Sequence, residues 1–141
     1  MNCNYVLLLL LNSQGELLLF RRINANFGNN QYCLIGGKIE AHETARQALV
    51  REAKEEVGID IAIDDLVLQH TFHRKGTESE FFALIFSASQ WQGTPVNNEP
   101  EKHADLAWFS LDALPATILP AHRQALGAIK RGLRYSEHGW E

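Results

Sequence analysis

Cysteine is almost missing from this chain, since Cys3 and Cys33 are the only two. They show no spacing of a zinc site or of a disulfide framework. A reducing, cytoplasmic setting fits, and Cys33, inside an apolar run, reads as a small core residue. A basic excess is missing too. Thirteen Lys and Arg against seventeen Asp and Glu give a net charge of −4, with the two signs mixed along the sequence. That excludes a general affinity for nucleic-acid polymers, which needs a basic surface. Long hydrophobic runs are also absent. Leu7 to Leu11 is too short to span a bilayer, has no basic segment before it and no small-residue cleavage site after it, and reads as a buried strand. No membrane partner is expected. Repeats, linkers and low-complexity segments are lacking as well.

What is present is ordinary globular material, 45% hydrophobic and 21% charged over 141 residues. This suits one mixed α/β domain over 1–141. Tyr5 to Leu11 and Glu16 to Arg22 are apolar runs separated by the turn-prone Asn12-Ser13-Gln14-Gly15, a pattern that predicts a hairpin. Asn24 to Asn30 reads as a loop, and Gln31 to Ile35 as a short strand leading into a turn at Gly36-Gly37. Strand-like material follows in Ile59 to Phe72, Phe81 to Ser89 and Leu106 to Ser110, with Phe81 to Phe86 central to a sheet. Leu119 to Leu133 reads as a helix. Tyr135 to Glu141 shows no periodicity. Trp140 on this polar tail suggests docking, on its own domain or on a partner subunit, so a homodimer stays open.

Between Gly37 and Ile59 the chemistry is denser. Thr44 and Gln47 form a candidate capping box, and Gly58 suits the left-handed stop of a helix. Ala45, Ala48, Leu49, Ala53 and Val57 supply its buried stripe. Glu52, Glu55 and Glu56 fall within an arc of about 100°. Like charges at that spacing repel by roughly 0.2–0.5 kcal/mol per pair. A divalent cation would remove that penalty, and hard carboxylate oxygens favour Mg²⁺ or Mn²⁺. Two readings stand on spacing alone: a metal cluster and a solvated acidic face. Glu56 projects to the edge of the apolar stripe and Lys54 to the far side, which favours the first.

The positions Gly37, Glu43, Arg51-Glu52-Ala53, Glu55-Glu56 and Gly58-Ile59 resemble the signature of the Nudix hydrolases in its full register. The order of elements around it resembles the family over nearly the whole chain. The resemblance implies an α/β/α sandwich around a mixed sheet and a Mg²⁺-dependent attack of water on a diphosphate, with Mn²⁺ as the other candidate ion. It implies that Glu52, Glu55 and Glu56 are catalytic and hold metal with Gly37, with Glu52 orienting or deprotonating the water. Glu43 and Arg51 would pair and support the helix. Many relatives have Gly where this chain has His42, so His42 is expected to take a left-handed backbone.

Outside the signature, the family often carries an auxiliary acid on a later loop. Glu99 is the candidate metal ligand and Glu101 its alternative. Arg22 ends an apolar run where relatives place a substrate-contacting arginine. His70, His73, His103, His122 and His138 show no ligand spacing and read as surface or hydrogen-bonded residues. Phe27, Trp91 and Trp108 could stack on a base, though the core is the commoner place for them. The secondary marks of the ADP-ribose and dinucleoside-polyphosphate branches are missing around Arg74 to Thr77. The leading expectation is a nucleoside triphosphate pyrophosphohydrolase. A nucleotide-sugar pyrophosphatase and a nucleotide-sensing module without turnover are the alternatives.

Overall fold

The computed structural model describes residues 3–140. Two sheets and two helices make up the architecture. Strands β1 (Tyr5–Leu10), β4 (Ile35–Lys38), β5 (Val67–Lys75), β6 (Glu80–Ala88) and β8 (Tyr135–His138) form a mixed sheet in the order β4-β1-β6-β5-β8. Strands β2 (Leu17–Arg22), β3 (Tyr32–Cys33) and β7 (His103–Phe109) form a smaller one, β3-β2-β7. Helices α1 (Ala45–Val57) and α2 (Pro120–Lys130) complete the fold.

The leucine run explains the layering. β1 lies between β4, antiparallel, and β6, parallel. A strand covered on both faces needs apolar residues at every position, not at every second one. Val6, Leu8 and Leu10 pack with Ala48, Leu49, Ala53 and Val57 of α1. Leu7 and Leu9 turn the other way and pack with Ala121, Ala125 and Leu126 of α2. The helices therefore cover opposite faces, which is the expected α/β/α sandwich around a mixed sheet. No helix among the described residues is long and apolar enough to cross a membrane.

Three expectations about local structure need correction. β1 and β2 do not form a hairpin ladder. The Asn12–Gly15 turn closes with Asn12 N–H donating to Glu16 O at 3.0 Å, but only the Leu11–Leu17 bridge joins the two segments. Both edges of β1 are already taken, so β2 leaves to pair with β3 and β7. Gly36 and Gly37 do not make a turn but lie inside β4, opposite Leu7 and Val6. A Cβ on Gly36 would collide with the Val6 carbonyl oxygen, so close strand approach explains that glycine. The tail is ordered as well. β8 adds to β5 in parallel, and buried His70 fastens the pair through Nδ1 to Leu133 O and Nε2 to Ser136 Oγ, both at 2.8 Å. Trp140 docks on its own domain, donating to His73 O at 3.0 Å. Glu141 lies outside the described residues.

The other elements follow the sequence with shifted ends. The stretch after Ile59 first makes a 3-10 turn at Ile63–Asp65 and becomes strand only at Val67. The second helix stops at Lys130, with Gly132 in a left-handed conformation just beyond it.

Candidate active site

Helix α1 is fixed at both ends. Thr44 Oγ1 accepts from Gln47 N–H at 3.1 Å, and Gln47 Oε1 accepts from Thr44 N–H at 2.8 Å, a closed capping box. Gly58 ends the helix at φ 71°, its N–H donating to Lys54 O at 3.1 Å. His42, in the loop before the helix, has φ 67°, the left-handed turn expected of it. These devices set the rotation of the helix and so the direction of each glutamate.

Glu56 is the deepest, with 6% of its surface exposed. Its Oε1 accepts from Gly36 N–H at 2.9 Å. Glu52 is half-buried and lies against Gly37, where a Cβ would occupy the space of its carboxylate. Glu55 is exposed at the rim. Lys54 points away and pairs with Asp60 at 3.3 Å. The edge position expected for Glu56 is thus a buried one, on the side of the helix that faces β4.

Arg51 organises the rim. Its Nη2 meets Glu43 Oε1 at 2.7 Å and Nε meets Glu43 Oε2 at 3.1 Å, a two-pronged pair. The same guanidinium reaches Lys38 O at 3.1 Å, Glu52 Oε1 at 3.0 Å and Glu55 Oε2 at 3.4 Å. It therefore ties loop, strand and helix together and also offsets part of the acidic charge, which the sequence reading did not include. The hydrogen bond from Arg51 holds the Glu43 carboxyl below its usual range, and the guanidinium's own pKa is raised chiefly by Glu43.

Glu99 comes in from the loop before β7 and Glu101 does not. One ligand atom each from Glu56, Glu99 and His103 lie within 4.8 Å of one another. His103 was not expected here. It is buried, stacked on Phe20 with centroids 3.6 Å apart, and its Nε2 is 3.5 Å from Glu56 Oε2. That distance would allow an ion pair, but burial opposes both charges. It pushes the Glu56 carboxyl up to about 9, helped by the nearby Glu52 charge, and the imidazole down to about 4, helped by Arg22 and Lys102. A neutral imidazole facing a protonated carboxyl is the state these shifts describe. Burial likewise raises Glu52, against the lowering effect of Arg51. A divalent cation would reverse this logic and favour the carboxylates. The donor set fits one: hard oxygens from Glu52, Glu56 and Glu99, a glycine that leaves the Glu52 carboxylate room, and a buried ring nitrogen without a partner.

Beside the acids opens a cavity of about 430 Å³ between the two sheets. Glu56, Gly36 and Gly37 line one end, while Arg22, Arg74, Phe27 and His122 line other walls. Arg22 Nε donates to Phe27 O at 3.1 Å, whereas Arg21 is occupied outside by Asp105 at 2.7 Å. Arg74 sits over the Phe27 ring at 4.9 Å and near the Phe81 ring at 5.7 Å. His122 Nδ1 accepts from Leu34 N–H at 3.1 Å, which leaves its proton on Nε2. Cys33 is in the core as expected, and burial pushes its thiol up to about 12, so it is no nucleophile at neutral pH. Trp91 and Trp108 stack on each other at 6.0 Å against the α1 core and do not line the cavity.

Comparison with known proteins finds relatives over most of the chain. A model of the NUDIX domain matches residues 1–129. The chain belongs to the Nudix hydrolase family. The NAD-capped RNA hydrolase NudC of Pseudomonas aeruginosa is 34% identical over 116 residues, 82% of this chain but 39% of that protein. The chain thus spans well under half the length of this relative. The 8-oxo-dGTP diphosphatase of Escherichia coli is 32% identical over 123 residues, covering 85% of this chain and 90% of that one. The crystal structure of a MutT NUDIX hydrolase from Burkholderia pseudomallei superposes with a TM-score of 0.81 at 28% identity, covering 89% and 95% of the two chains.

Proposed function

We propose that this Nudix chain, acting as one domain over 1–141, hydrolyses a nucleoside diphosphate linked to another group. Its leading substrates are (deoxy)nucleoside triphosphates, cut to a monophosphate and pyrophosphate. One observation carries the reading: Glu56, beside the Glu52 and Glu99 charges, lines one end of a cavity that Phe27, Arg22 and Arg74 line elsewhere. A nucleoside fits the cavity, against Phe27, Arg22 and Arg74, with its phosphates directed to the acids. The match to nearly the full length of the 8-oxo-dGTP diphosphatase supports a small nucleotide as substrate.

Glu52, Glu55, Glu56 and Glu99, with Gly37, would hold Mg²⁺, with Mn²⁺ as the other candidate. A bound divalent ion supplies charge neutralisation of the diphosphate and a lowered pKa for water. Glu52 is the residue assigned to orient or deprotonate that water. Its carboxylate is steered by Arg51 at 3.0 Å and by the space at Gly37. Glu43 and Arg51 act through the helix they anchor and make no contact with the reacting atoms. Positioning and charge stabilisation supply the acceleration.

The test is a Mg²⁺-dependent screen over nucleoside triphosphates, nucleotide sugars and dinucleotides, with products identified by chromatography. Pyrophosphate and a monophosphate from triphosphates are expected. Activity confined to nucleotide sugars would replace the substrate assignment, and tight binding with no product from any of them would favour a sensing module.

A further inference from the structure

Among the described residues, Nδ1 of His103 is the one buried side-chain nitrogen or oxygen without a hydrogen-bond partner. The ring cannot easily turn to find one. It lies flat on Phe20, and its residue stands opposite Arg22 in the β2–β7 ladder. Just before it the chain makes a single helical turn, with His103 N–H donating to Glu99 O at 3.0 Å. That turn brings the Glu99 and His103 side chains to the same place, and Glu56 meets them from α1. Nδ1 is 4.0 Å from Glu99 Oε1, and Nε2 is 3.5 Å from Glu56 Oε2. Both are too long for a good hydrogen bond. One ligand atom from each of the three lies within 4.8 Å of the others, the spacing of donors around a shared ion.

We propose that His103 is a nitrogen ligand to the metal held by Glu56 and Glu99. The position is then a mixed nitrogen–oxygen site that holds Mn²⁺ or Co²⁺ more tightly than Mg²⁺. Imidazole suits first-row transition ions, whereas Mg²⁺ binds through oxygen and keeps several waters. This builds on the metal-dependent reading above, but its readout is spectroscopic and needs no turnover.

Pulsed electron paramagnetic resonance of Mn²⁺ added to the full chain provides the test. Imidazole ¹⁴N modulation is expected, replaced by the ¹⁵N pattern when histidine is ¹⁵N-labelled, and lost in His103→Gln. Mn²⁺ affinity should fall roughly tenfold in that variant, as loss of a contact to a bound metal commonly does, while Mg²⁺ affinity measured by competition changes less than about twofold. His103→Asn is the second variant, with circular dichroism as the check on folding. Should neither fold, Glu99→Gln decides, because a nitrogen that shares its ion with Glu99 must change its coupling. Absence of ¹⁴N modulation in the unaltered protein overturns the assignment. So does modulation that persists in His103→Gln, equal loss of both ions, or coupling unchanged in Glu99→Gln. If no nucleotide is hydrolysed yet the nitrogen coupling appears, the proposed reaction falls and the ligand stands. Hydrolysis without nitrogen coupling gives the converse.

Discussion

The cavity has two unlike ends. At one, Glu56 lines the wall, with Glu52 and Glu55 beside it on about one turn of the same helix, and the strand facing it is all but bare of side chains. Elsewhere, Arg22, Arg74 and His122 arrive from β2, β5 and α2 and present donors, with Glu78 also among the lining residues. The acidic end is built to gather positive charge and the other to take up hydrogen-bond acceptors. In the proposed reaction the first acts on the phosphate chain and the second selects the molecule that carries it.

Removing one acid tests that division most severely. Glu56→Gln should lower turnover by about a thousandfold, equivalent to about 4 kcal/mol. Folding should be unaffected, because an uncharged Gln can still accept from Gly36 N–H. Pyrophosphate release and circular dichroism measure the two halves, and near-normal turnover would break the assignment. The paired glycines sharpen it. Gly37→Ala intrudes on the Glu52 carboxylate and should cost about a hundredfold in kcat with Tm nearly unchanged. Gly36→Ala meets the Val6 backbone instead and should lower Tm.

At the other end, His122 ties stability to pH. Burial, together with Arg74 and Arg22, lowers its pKa to about 3. The unfolded chain therefore takes up the proton first as pH falls. The contribution of this residue is fully present above about pH 6.5 and declines below it, by about 2 kcal/mol at pH 5. Because Glu56 and His103 titrate with opposite signs over the same range, the decline is read as the difference between the unaltered chain and His122→Asn in urea titrations at pH 7 and pH 5. The smallest effect is expected from Arg74→Ala: KM about tenfold higher and kcat within about twofold, as for a group that binds substrate and transition state equally. A fall in kcat alone would mean that the two ends are not separable.

The same contrast explains what could be read in advance. Glu52, Glu55, Glu56, Glu43 and Arg51 occupy one helix and the turn before it, where local geometry fixes relative direction, so their spacing carried the site. His103, Arg74 and His122 meet only because β7, β5 and α2 pack around one cavity. Nothing near them in the sequence marks them, apart from the four-residue step from Glu99 to His103, which lies in a Gly/Pro/Asn loop that gave no reason to expect a helical turn. The sandwich was legible for a similar reason: a leucine run with no polar alternation can only be covered on both faces. The hairpin was not, because pairing depends on which strand claims each edge of β1, and that is decided far along the chain.

That claim on β1 also has a history in time. The leucine-rich strand precedes the other strands of its sheet, and its parallel neighbour β6 ends only at Ala88. During synthesis one edge of β1 can pair with β4 once Lys38 is made, but its other edge stays open and apolar until β6 follows. A short, uncharged, β-prone segment in that position is prone to self-association. Slow, non-local closure of the sheet is expected to make yield during expression depend on how soon that segment finds β6.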